Sequence, residues 1–502
     1  MNSVQVAGPV VAAQRWLTIL QKLSATPARA IATLVATHII FLALLPFPVS
    51  SAPPIDVVEG LIWGQEWLLG THKLPTMPAW LIEISFRLTG SPILGPYLLS
   101  QLCVALSYIF VFMAGCRLTT TANALAGTLL TAGIVYFNWT TPEFNHNVIQ
   151  MPIWAATFLL FTVIREDAGR PGPWLALGVL AGLGIYAKYS VVVLYVALGF
   201  WTLIDGRMRR AFLTPWPWLA VALSLLVAAP HVYWLVEHDF APIGYVESRA
   251  AGGGSLLPPI KWILVQIACQ LPIGLLLAIT GMRRIMSLPR RTEDGGNLAY
   301  VAFIALAPAL ATALLAAISG SKPQNMWGMP MFAPSGLLVV LLLRREWSYP
   351  LVQRLWVATI GLVAVVGVAF TINIVVSRGI SQPIRNAWPM AEIADKAREA
   401  WAASTPAKLQ VVSGERWLAG LVSAGLPERP HVIHDGVLAN SPWLDEDRLR
   451  KDGVLYVWRG KDQPPGLIPE GTPIAATGSF EIAGVSERDR VVSYAVRLPE
   501  AR

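Results

Sequence analysis

Apolar stretches alternate with short polar connections along the first three quarters of the chain. A helix needs about 20 mostly apolar residues to cross the hydrocarbon core of a bilayer, and eleven stretches approach that length. We therefore predict a polytopic α-helical membrane protein with about eleven transmembrane helices. Their expected positions are 30–48, 96–115, 122–138, 149–164, 172–187, 189–204, 215–235, 262–281, 298–318, 329–343 and 355–377.

The pattern changes after residue 378, where short apolar runs alternate with amphipathic segments. Such alternation of strands and helices predicts a small α/β domain. The expected strands are 411–413, 431–434, 454–458 and 491–498, and the expected helices are 389–403, 415–425 and 444–451. The predicted organisation is a cytoplasmic segment at 1–29, a membrane domain at 30–377 with a long outer loop at 49–95, and a soluble domain at 378–502.

Composition agrees with a membrane protein, since 55% of the residues are hydrophobic and only 14% are charged. The net charge of +8 does not indicate a nucleic-acid partner, because residues 378–502 hold 16 basic and 16 acidic residues and the excess lies in the membrane part. The three cysteines lie in apolar stretches and predict neither a disulfide framework nor a zinc site. No phosphate-binding glycine loop occurs that would indicate a nucleotide-driven pump.

The first long outer loop carries an acidic pair, Asp56 and Glu59, directly after the first predicted helix. If this segment is helical, the spacing of three residues places both carboxylates on one face. The pair could act as a base or hold a divalent cation. It could equally be a capping aspartate followed by a glutamate three residues later, which is a common start of a helix.

A second outer loop at 138–148 places Glu143 and His146 at the membrane edge without a compensating cation. Polar groups at that depth are costly unless they have partners or a task. Glu143 could complete a carboxylate cluster with Asp56 or could cap the following helix. For His146, a hydrogen-bonded interfacial histidine is the alternative to a binding role.

Cations also lie at outer helix ends, at Lys188, Arg249 and Lys322. Several cations on a face that otherwise excludes them indicate an anionic ligand, such as a phosphate, at the outer leaflet. The alternative for Lys188 is a lysine that extends its ammonium group to the interface. Many of the 20 tryptophans fall near this interface, as an aromatic belt would place them, but Trp63 could also stack on a sugar ring.

These features occur together with specific short motifs. They are DxxE at 56–59, GxxK at 70–73, EFNHN at 143–147, AKY at 187–189 and WGMPMF at 327–332. With them, residues 30–377 resemble the GT-C glycosyltransferases that use polyprenyl-phosphate sugars. The resemblance is to bacterial family 39, the branch related to protein O-mannosyltransferases and lipid A aminoarabinose transferases.

The resemblance implies an inverting transfer of a hexose or pentose from a polyprenyl-phosphate donor to a lipid or glycan acceptor. Asp56 would be the base, supported by Glu59 or Glu143, and the same three carboxylates would be the ligands if a divalent cation is required. The donor phosphate would be bound by Lys73, Lys188, Arg249 and Lys322. The sugar or acceptor would contact Trp63, His72, His146 and Tyr189.

The acceptor expected from the resemblance is lipid A, lipopolysaccharide or another envelope glycan in a bacterial inner membrane. A protein O-glycosyltransferase of the same fold is one alternative. A lipid or sugar transporter is another, although transporters usually carry their polar groups at mid-membrane, whereas these candidates gather at one edge. Apart from substrates, surrounding membrane lipids are the expected partners.

The distribution of basic residues predicts the orientation, because cytoplasmic loops are enriched in Lys and Arg. With the N-terminus inside, 16 of the 22 basic residues before 378 fall on the cytoplasmic side. Residues 378–502 would then be periplasmic, or extracellular if there is no outer membrane. Alkaline phosphatase fused after residue 380 should be active, whereas fluorescence from a cytoplasm-only reporter at that position would contradict this topology.

Overall fold

The computed structural model describes residues 26–250, 256–292, 295–378, 380 and 383–500. Most of the predicted segment 1–29 therefore lies outside the described residues. The first half contains α1 (Pro27–Ile39), α2 (Ile55–Gly64), α3 (Met77–Thr89), α4 (Leu94–Leu118), α5 (Thr121–Thr131), α6 (His146–Glu166), α7 (Pro171–Ala187) and α8 (Val191–Ile204). The helices that follow are α9 (Trp216–Glu237), α10 (Ala241–Ala250), α11 (Leu257–Ala268), α12 (Leu271–Thr280), α13 (Met282–Ser287), α14 (Gly295–Ser319), α15 (Ser335–Leu343) and α16 (Tyr349–Ser377).

The helical membrane architecture predicted from hydropathy is confirmed. Within the described ranges, seven helical segments are long and apolar enough to cross a membrane, and a bent pair formed by Asn325–Phe332 and α15 would be an eighth. The helices α7 and α8 are apolar but shorter, with 17 and 14 residues. Each of the eleven predicted positions contains helix, yet the 11 residues of α5 are too few to span by themselves. The count of eleven spans stays a prediction.

Local sequence signals explain where several of these helices begin and end. Pro27 occupies the first turn of α1 behind the capping residue Thr26, a position where the missing N–H of proline costs nothing. The side chain of Asn145 accepts hydrogen bonds from the first backbone N–H groups of α6. Gly90 ends α3 in the left-handed conformation, with φ of 66°, which favours glycine.

The predicted outer loop 49–95 folds into the two short helices α2 and α3. They pack closely at Gly64, where a Cβ atom would lie 2.4 Å from the backbone oxygen of Ala79. Only glycine permits this approach. The close packing fixes the orientation of α2, and therefore of the acidic residues that it carries.

The C-terminal part contains the predicted α/β domain. Its five strands are β1 (Val411–Gly414), β2 (His431–His434), β3 (Val454–Arg459), β4 (Ala476–Glu481) and β5 (Val491–Arg497). Its helices are α17 (Met390–Ala402), α18 (Arg416–Gly425), α19 (Glu446–Asp452) and α20 (Glu487–Arg490). The strand order is β2-β1-β3-β5-β4. Strands β2, β1 and β3 are parallel to one another, and β5 is antiparallel to both of its neighbours, β3 and β4. The sequence pattern missed β4, an edge strand of intermediate and exposed residues.

The C-terminal domain packs directly on the outer loop. Apolar residues of α2, including Val58, Ile62 and Trp63, belong to the same buried core as Leu418 and Val432 of the domain. At the centre of the contact, a Cβ atom on Gly420 of α18 would lie 2.3 Å from Val58. The small size of Gly420 therefore sets the distance between the two parts.

Ion pairs reinforce this packing at its edge. Arg429 donates hydrogen bonds to both carboxylate oxygens of Glu83 in α3, at 3.0 and 2.8 Å, and to the backbone oxygen of Leu61 at 3.1 Å. Glu83 is only 1% exposed. A buried carboxylate is stable in the fold only when it is paired. Arg87 of the same helix pairs with Glu83 at 2.7 Å, and Arg429 of the domain supplies the second partner.

A leucine at Gly420 should weaken this packing. Overfilling a packed contact costs about 1–3 kcal/mol, so we expect a lower unfolding temperature of the purified chain and faster proteolysis of the C-terminal domain. The matched control is Gly361→Leu in α16, where a Cβ atom would meet nothing within 4 Å. Equal effects of the two substitutions would contradict the assignment of Gly420 to a tight contact.

Candidate active site

The helix α2 positions the two acidic residues of the outer loop. Pro54 is its N-cap, with an extended backbone and no side-chain capping bond, and Asp56 lies inside the first turn. The interpretation of Asp56 as a capping residue is therefore wrong. The alternative that Glu143 caps α6 is wrong as well, because Asn145 occupies that position.

Glu59 is buried in a cluster of hydrogen-bond donors. Both carboxylate oxygens lie 2.8 Å from Nζ of Lys73, and one of them accepts a hydrogen bond of 3.0 Å from Nε2 of His434. Arg416 adds an ion pair at 3.4 Å. Burial alone would raise the pKa of Glu59, but the hydrogen bond from His434 and the charge of Lys73 outweigh it and lower the pKa to about 2. Glu59 is therefore ionised, and both of its carboxylate oxygens accept hydrogen bonds.

Aromatic rings surround this ion pair. Trp63 stacks on His434 with ring centres 5.4 Å apart, and the ammonium group of Lys73 lies 5.9 Å from the Trp63 ring and 5.5 Å from that of Tyr245. His72 contacts His434 edge to face at 5.0 Å. Burial, followed by the charge of His434, lowers the pKa of His72 to about 4. Trp63, His72 and Lys73 thus form one cluster with the C-terminal domain.

Asp56 and Glu143 meet beside this cluster. Among the described residues, neither carboxylate has an ion-pair partner within bonding distance. Burial and then the charge of Asp56 raise the pKa of Glu143 to about 7. Burial and then the charge of Glu59 raise the pKa of Asp56, against the opposing charges of Lys73, Lys188 and Arg385. The structure therefore brings together two carboxylates whose ionised forms are both disfavoured.

Lys188, in the turn between α7 and α8, lies near Asp56. Its ammonium group donates a hydrogen bond of 2.6 Å to Asn147 and lies 5.6 Å from the ring centre of Trp327. Burial lowers the pKa of Lys188 to about 8, and the charge of Asp56 opposes that shift. The EFNHN, AKY and WGMPMF motifs, remote in sequence, thus contribute to one site.

The remaining predicted site residues either have hydrogen-bond partners of their own or lie at the surface. His146 donates from Nε2 to the backbone oxygen of Pro75 at 2.9 Å and so joins the two outer loops. Tyr189 is hydrogen bonded to His231 at 3.0 Å. Lys322 is exposed and has no ion pair within the described ranges. The side chain of Arg249 lies outside the described residues.

Sequence reasoning missed four residues that contribute to the site, namely Arg385, Arg416, His434 and Asp435. Arg385 follows the last membrane helix and its charge opposes the pKa shifts of Asp56 and Glu143. Arg416 and Asp435 form an ion pair of 2.6 Å next to Glu59. Their positions in the predicted elements gave little signal: Asp435 directly follows the predicted strand 431–434, whose last residue is His434, and Arg416 lies at the start of the predicted helix 415–425.

The geometry allows general-base chemistry next to several cations. A carboxylate with a raised pKa can accept a proton near neutral pH, and fixed ammonium and guanidinium groups can stabilise a departing anion. In the part of the chain that the structure describes, no three His, Cys, Asp or Glu side chains are grouped so that they could hold a metal ion.

Sequence comparisons point to one class of enzyme. The model of the family described as dolichyl-phosphate-mannose-protein mannosyltransferase matches residues 73–234. The lipopolysaccharide core galacturonosyltransferase RgtA of Rhizobium johnstonii is 24% identical over 85% of this chain and 86% of its own length. The lipid A galacturonosyltransferase RgtD of the same organism is 22% identical over 58% of this chain and 61% of its own length.

Structural comparison agrees with the sequence relatives. The crystal structure of ArnT from Cupriavidus metallidurans bound to undecaprenyl phosphate has a TM-score of 0.58 and 14% identity, covering 98% of this chain and all of that one. The similarity includes the C-terminal domain as well as the membrane helices. The chain therefore has the GT-C fold of ArnT, and its sequence is similar to glycosyltransferases of the protein mannosyltransferase and lipopolysaccharide-modifying type.

Proposed function

We propose that the protein transfers a sugar from a polyprenyl-phosphate donor to lipopolysaccharide on the outer face of the inner membrane. The observation that carries this proposal is that Asp56 and Glu143, both with raised pKa, lie together, and that the half-buried cation Lys188 is close enough to Asp56 for the two charges to interact. Glycosyl transfer to a hydroxyl group requires a base for the hydroxyl proton and a nearby cation for the departing phosphate.

In the proposed reaction, Asp56 accepts the proton of the acceptor hydroxyl as its oxygen attacks the anomeric carbon. The bond from that carbon to the phosphate oxygen breaks in the same displacement, so the configuration inverts and the electron pair leaves with the polyprenyl phosphate. Lys188 offsets the charge that develops on this phosphate. Glu143 lies beside Asp56 and helps to orient the acceptor.

Lys73 and Glu59 have a different part in this scheme. The ammonium group of Lys73 is already neutralised by Glu59, at 2.8 Å from both oxygens. Lys73 therefore contributes hydrogen bonds to the donor more than net charge, and Glu59 holds it in place. Trp63, His72, His146 and Tyr189 are the proposed contacts of the sugar or acceptor, and Arg249 and Lys322 remain proposed phosphate contacts.

The relatives suggest the sugar and the acceptor. Two of them are galacturonosyltransferases by name, RgtA acting on the lipopolysaccharide core and RgtD on lipid A. We propose galacturonic acid as the sugar and lipopolysaccharide as the acceptor. The long coverage of the core enzyme RgtA, 85% of this chain, favours the core over lipid A.

The first experiment concerns the donor. Purified protein in lipid nanodiscs should transfer galacturonic acid from polyprenyl-phosphate galacturonic acid to lipopolysaccharide, which mass spectrometry of the product detects. The nucleotide-linked sugar should not support transfer, because it lacks the lipid that would dock among the membrane helices. Equal turnover of the two donors would argue against a polyprenyl-phosphate enzyme.

The second experiment concerns the base. Asp56→Asn keeps the size of the side chain but removes the proton acceptor, so we expect a loss of about 10²–10⁴ in rate with unchanged folding. Glu143→Gln should reduce the rate less, because Glu143 only supports the base. Turnover is measured with the donor above.

The matched control is Asp445→Asn. Asp445 caps α19 by accepting a hydrogen bond of 2.8 Å from the backbone of Arg448, and asparagine caps equally well. This variant should therefore keep wild-type activity. Retention by Asp56→Asn of more than about a tenth of the wild-type rate, well outside the range expected for a lost base, would exclude Asp56 as the base.

A further inference from the structure

A cleft of about 710 Å³ lies in the C-terminal domain, away from the carboxylates described above. It opens at the carboxyl ends of the three parallel strands, where Glu415 follows β1, Asp435 follows β2 and Arg459 ends β3. Its volume is within the range of about 300–1,000 Å³ that is typical of ligand sites.

The strand order explains why a cleft forms here. β1 lies between β2 and β3. The connection after β1 leads to β2 on one side, and the chain then crosses back through α19 to β3 on the other side of β1. The connections that follow β1 and β3 therefore run in opposite directions from the carboxyl ends of these strands. Open α/β sheets bind their ligands at such a divergence.

The lining of the cleft suits sugar hydroxyl groups. The guanidinium group of Arg459 is held between Glu415 at 2.6 Å and Asp489 at 2.9 Å, which fixes a flat set of donors and acceptors. Trp458 also lines the cleft, is 8% exposed, and has a buried indole N–H without a partner among the described residues. Hydroxyl groups both donate and accept hydrogen bonds, so they can satisfy such a mixed lining.

The cleft is coupled to the active site through adjacent residues. Glu415 precedes Arg416, which contacts Glu59 at 3.4 Å. Asp435, on the cleft side, follows His434, which donates to Glu59 at 3.0 Å, and is ion-paired with Arg416 at 2.6 Å. The same two strand ends thus face the cleft on one side and the outer loop on the other.

We propose that this cleft binds the oligosaccharide part of the acceptor and holds it while the reacting hydroxyl reaches Asp56. The proposal rests on the proposed function and extends it by assigning the acceptor glycan to the C-terminal domain. The two sites have separate tasks: the cleft determines which acceptor is retained, and the outer loop carries out the transfer.

Binding tests the cleft directly. The probe is the core oligosaccharide released from the host's lipopolysaccharide by mild acid, titrated into the full chain in nanodiscs and followed by saturation-transfer NMR. Arg459→Gln should weaken binding about tenfold, as expected for the loss of charge-assisted hydrogen bonds. The control, Arg490→Gln, removes a similar surface ion pair with Glu481, at 2.8 Å, that does not line the cleft, and it should bind as wild type.

A second variant distinguishes a loss of binding from misfolding. Lys461 lines the cleft, is exposed, and forms no ion pair within the described ranges, so Lys461→Ser should leave the fold intact and still weaken binding. In the transfer assay, Arg459→Gln should raise KM for complete lipopolysaccharide about tenfold, with kcat and the donor KM unchanged.

The outcomes separate the two proposals. Wild-type protein that binds the oligosaccharide but transfers no sugar from any polyprenyl-phosphate donor would refute the proposed function and leave the cleft standing. Wild-type protein that transfers sugar, while Arg459→Gln and Lys461→Ser match Arg490→Gln in binding and KM, would overturn the assignment of the cleft.

Discussion

The buried carboxylate of Glu59 is the group on which the outer part of the molecule depends. A carboxylate that is 3% exposed destabilises the fold by several kcal/mol unless it is paired. Its partners come from two places: Lys73 from the same loop, and His434 and Arg416 from the C-terminal domain. One charge therefore links the path of the loop to the docking of the domain.

Asp56 and Glu59 illustrate how partners determine chemistry. They lie within one turn of the same helix, and burial acts in the same direction on both. The pKa of Glu59 nevertheless falls, because hydrogen-bond donors contact its oxygens directly. The pKa of Asp56 rises, because burial and then the charge of Glu59 outweigh the opposing charges of the neighbouring cations. The helix thus presents one fixed anion and one carboxylate that can take up a proton.

Much of the fold was predictable because its signals are local. Each of the eleven stretches chosen by hydropathy contains helix, and alternating patterns located β1, β2, β3 and β5. The edge strand β4 was missed because its residues, ATGSFE, carry few apolar side chains. Eleven spans were predicted from apolar length, but α5 ends after 11 residues, since the chain turns within a stretch that is apolar throughout.

The site was predictable only in part, because its contacts are not local. Charged residues in the predicted outer loops, at the edge of the membrane, indicated Asp56, Glu143 and Lys188 as candidate site residues, and the fold brings these three together. The partners of Glu59 could not be found in this way. His434 is 375 residues from Glu59, and nothing in a single sequence shows that the end of one strand will meet that loop.

That separation has a consequence for biosynthesis. Chains emerge from the ribosome with their N-terminal parts first, so α2 is made long before β2 and the start of α18. Until the chain has been synthesised as far as Arg416 and His434, Glu59 has only Lys73 as a partner, and the rings of Trp63 and His72 lack the imidazole on which they pack. The loop reaches its final geometry only after nearly the whole polypeptide has been produced. The cluster around Glu59 can therefore be completed only in chains that have been translated into the C-terminal domain, and chains released earlier lack it.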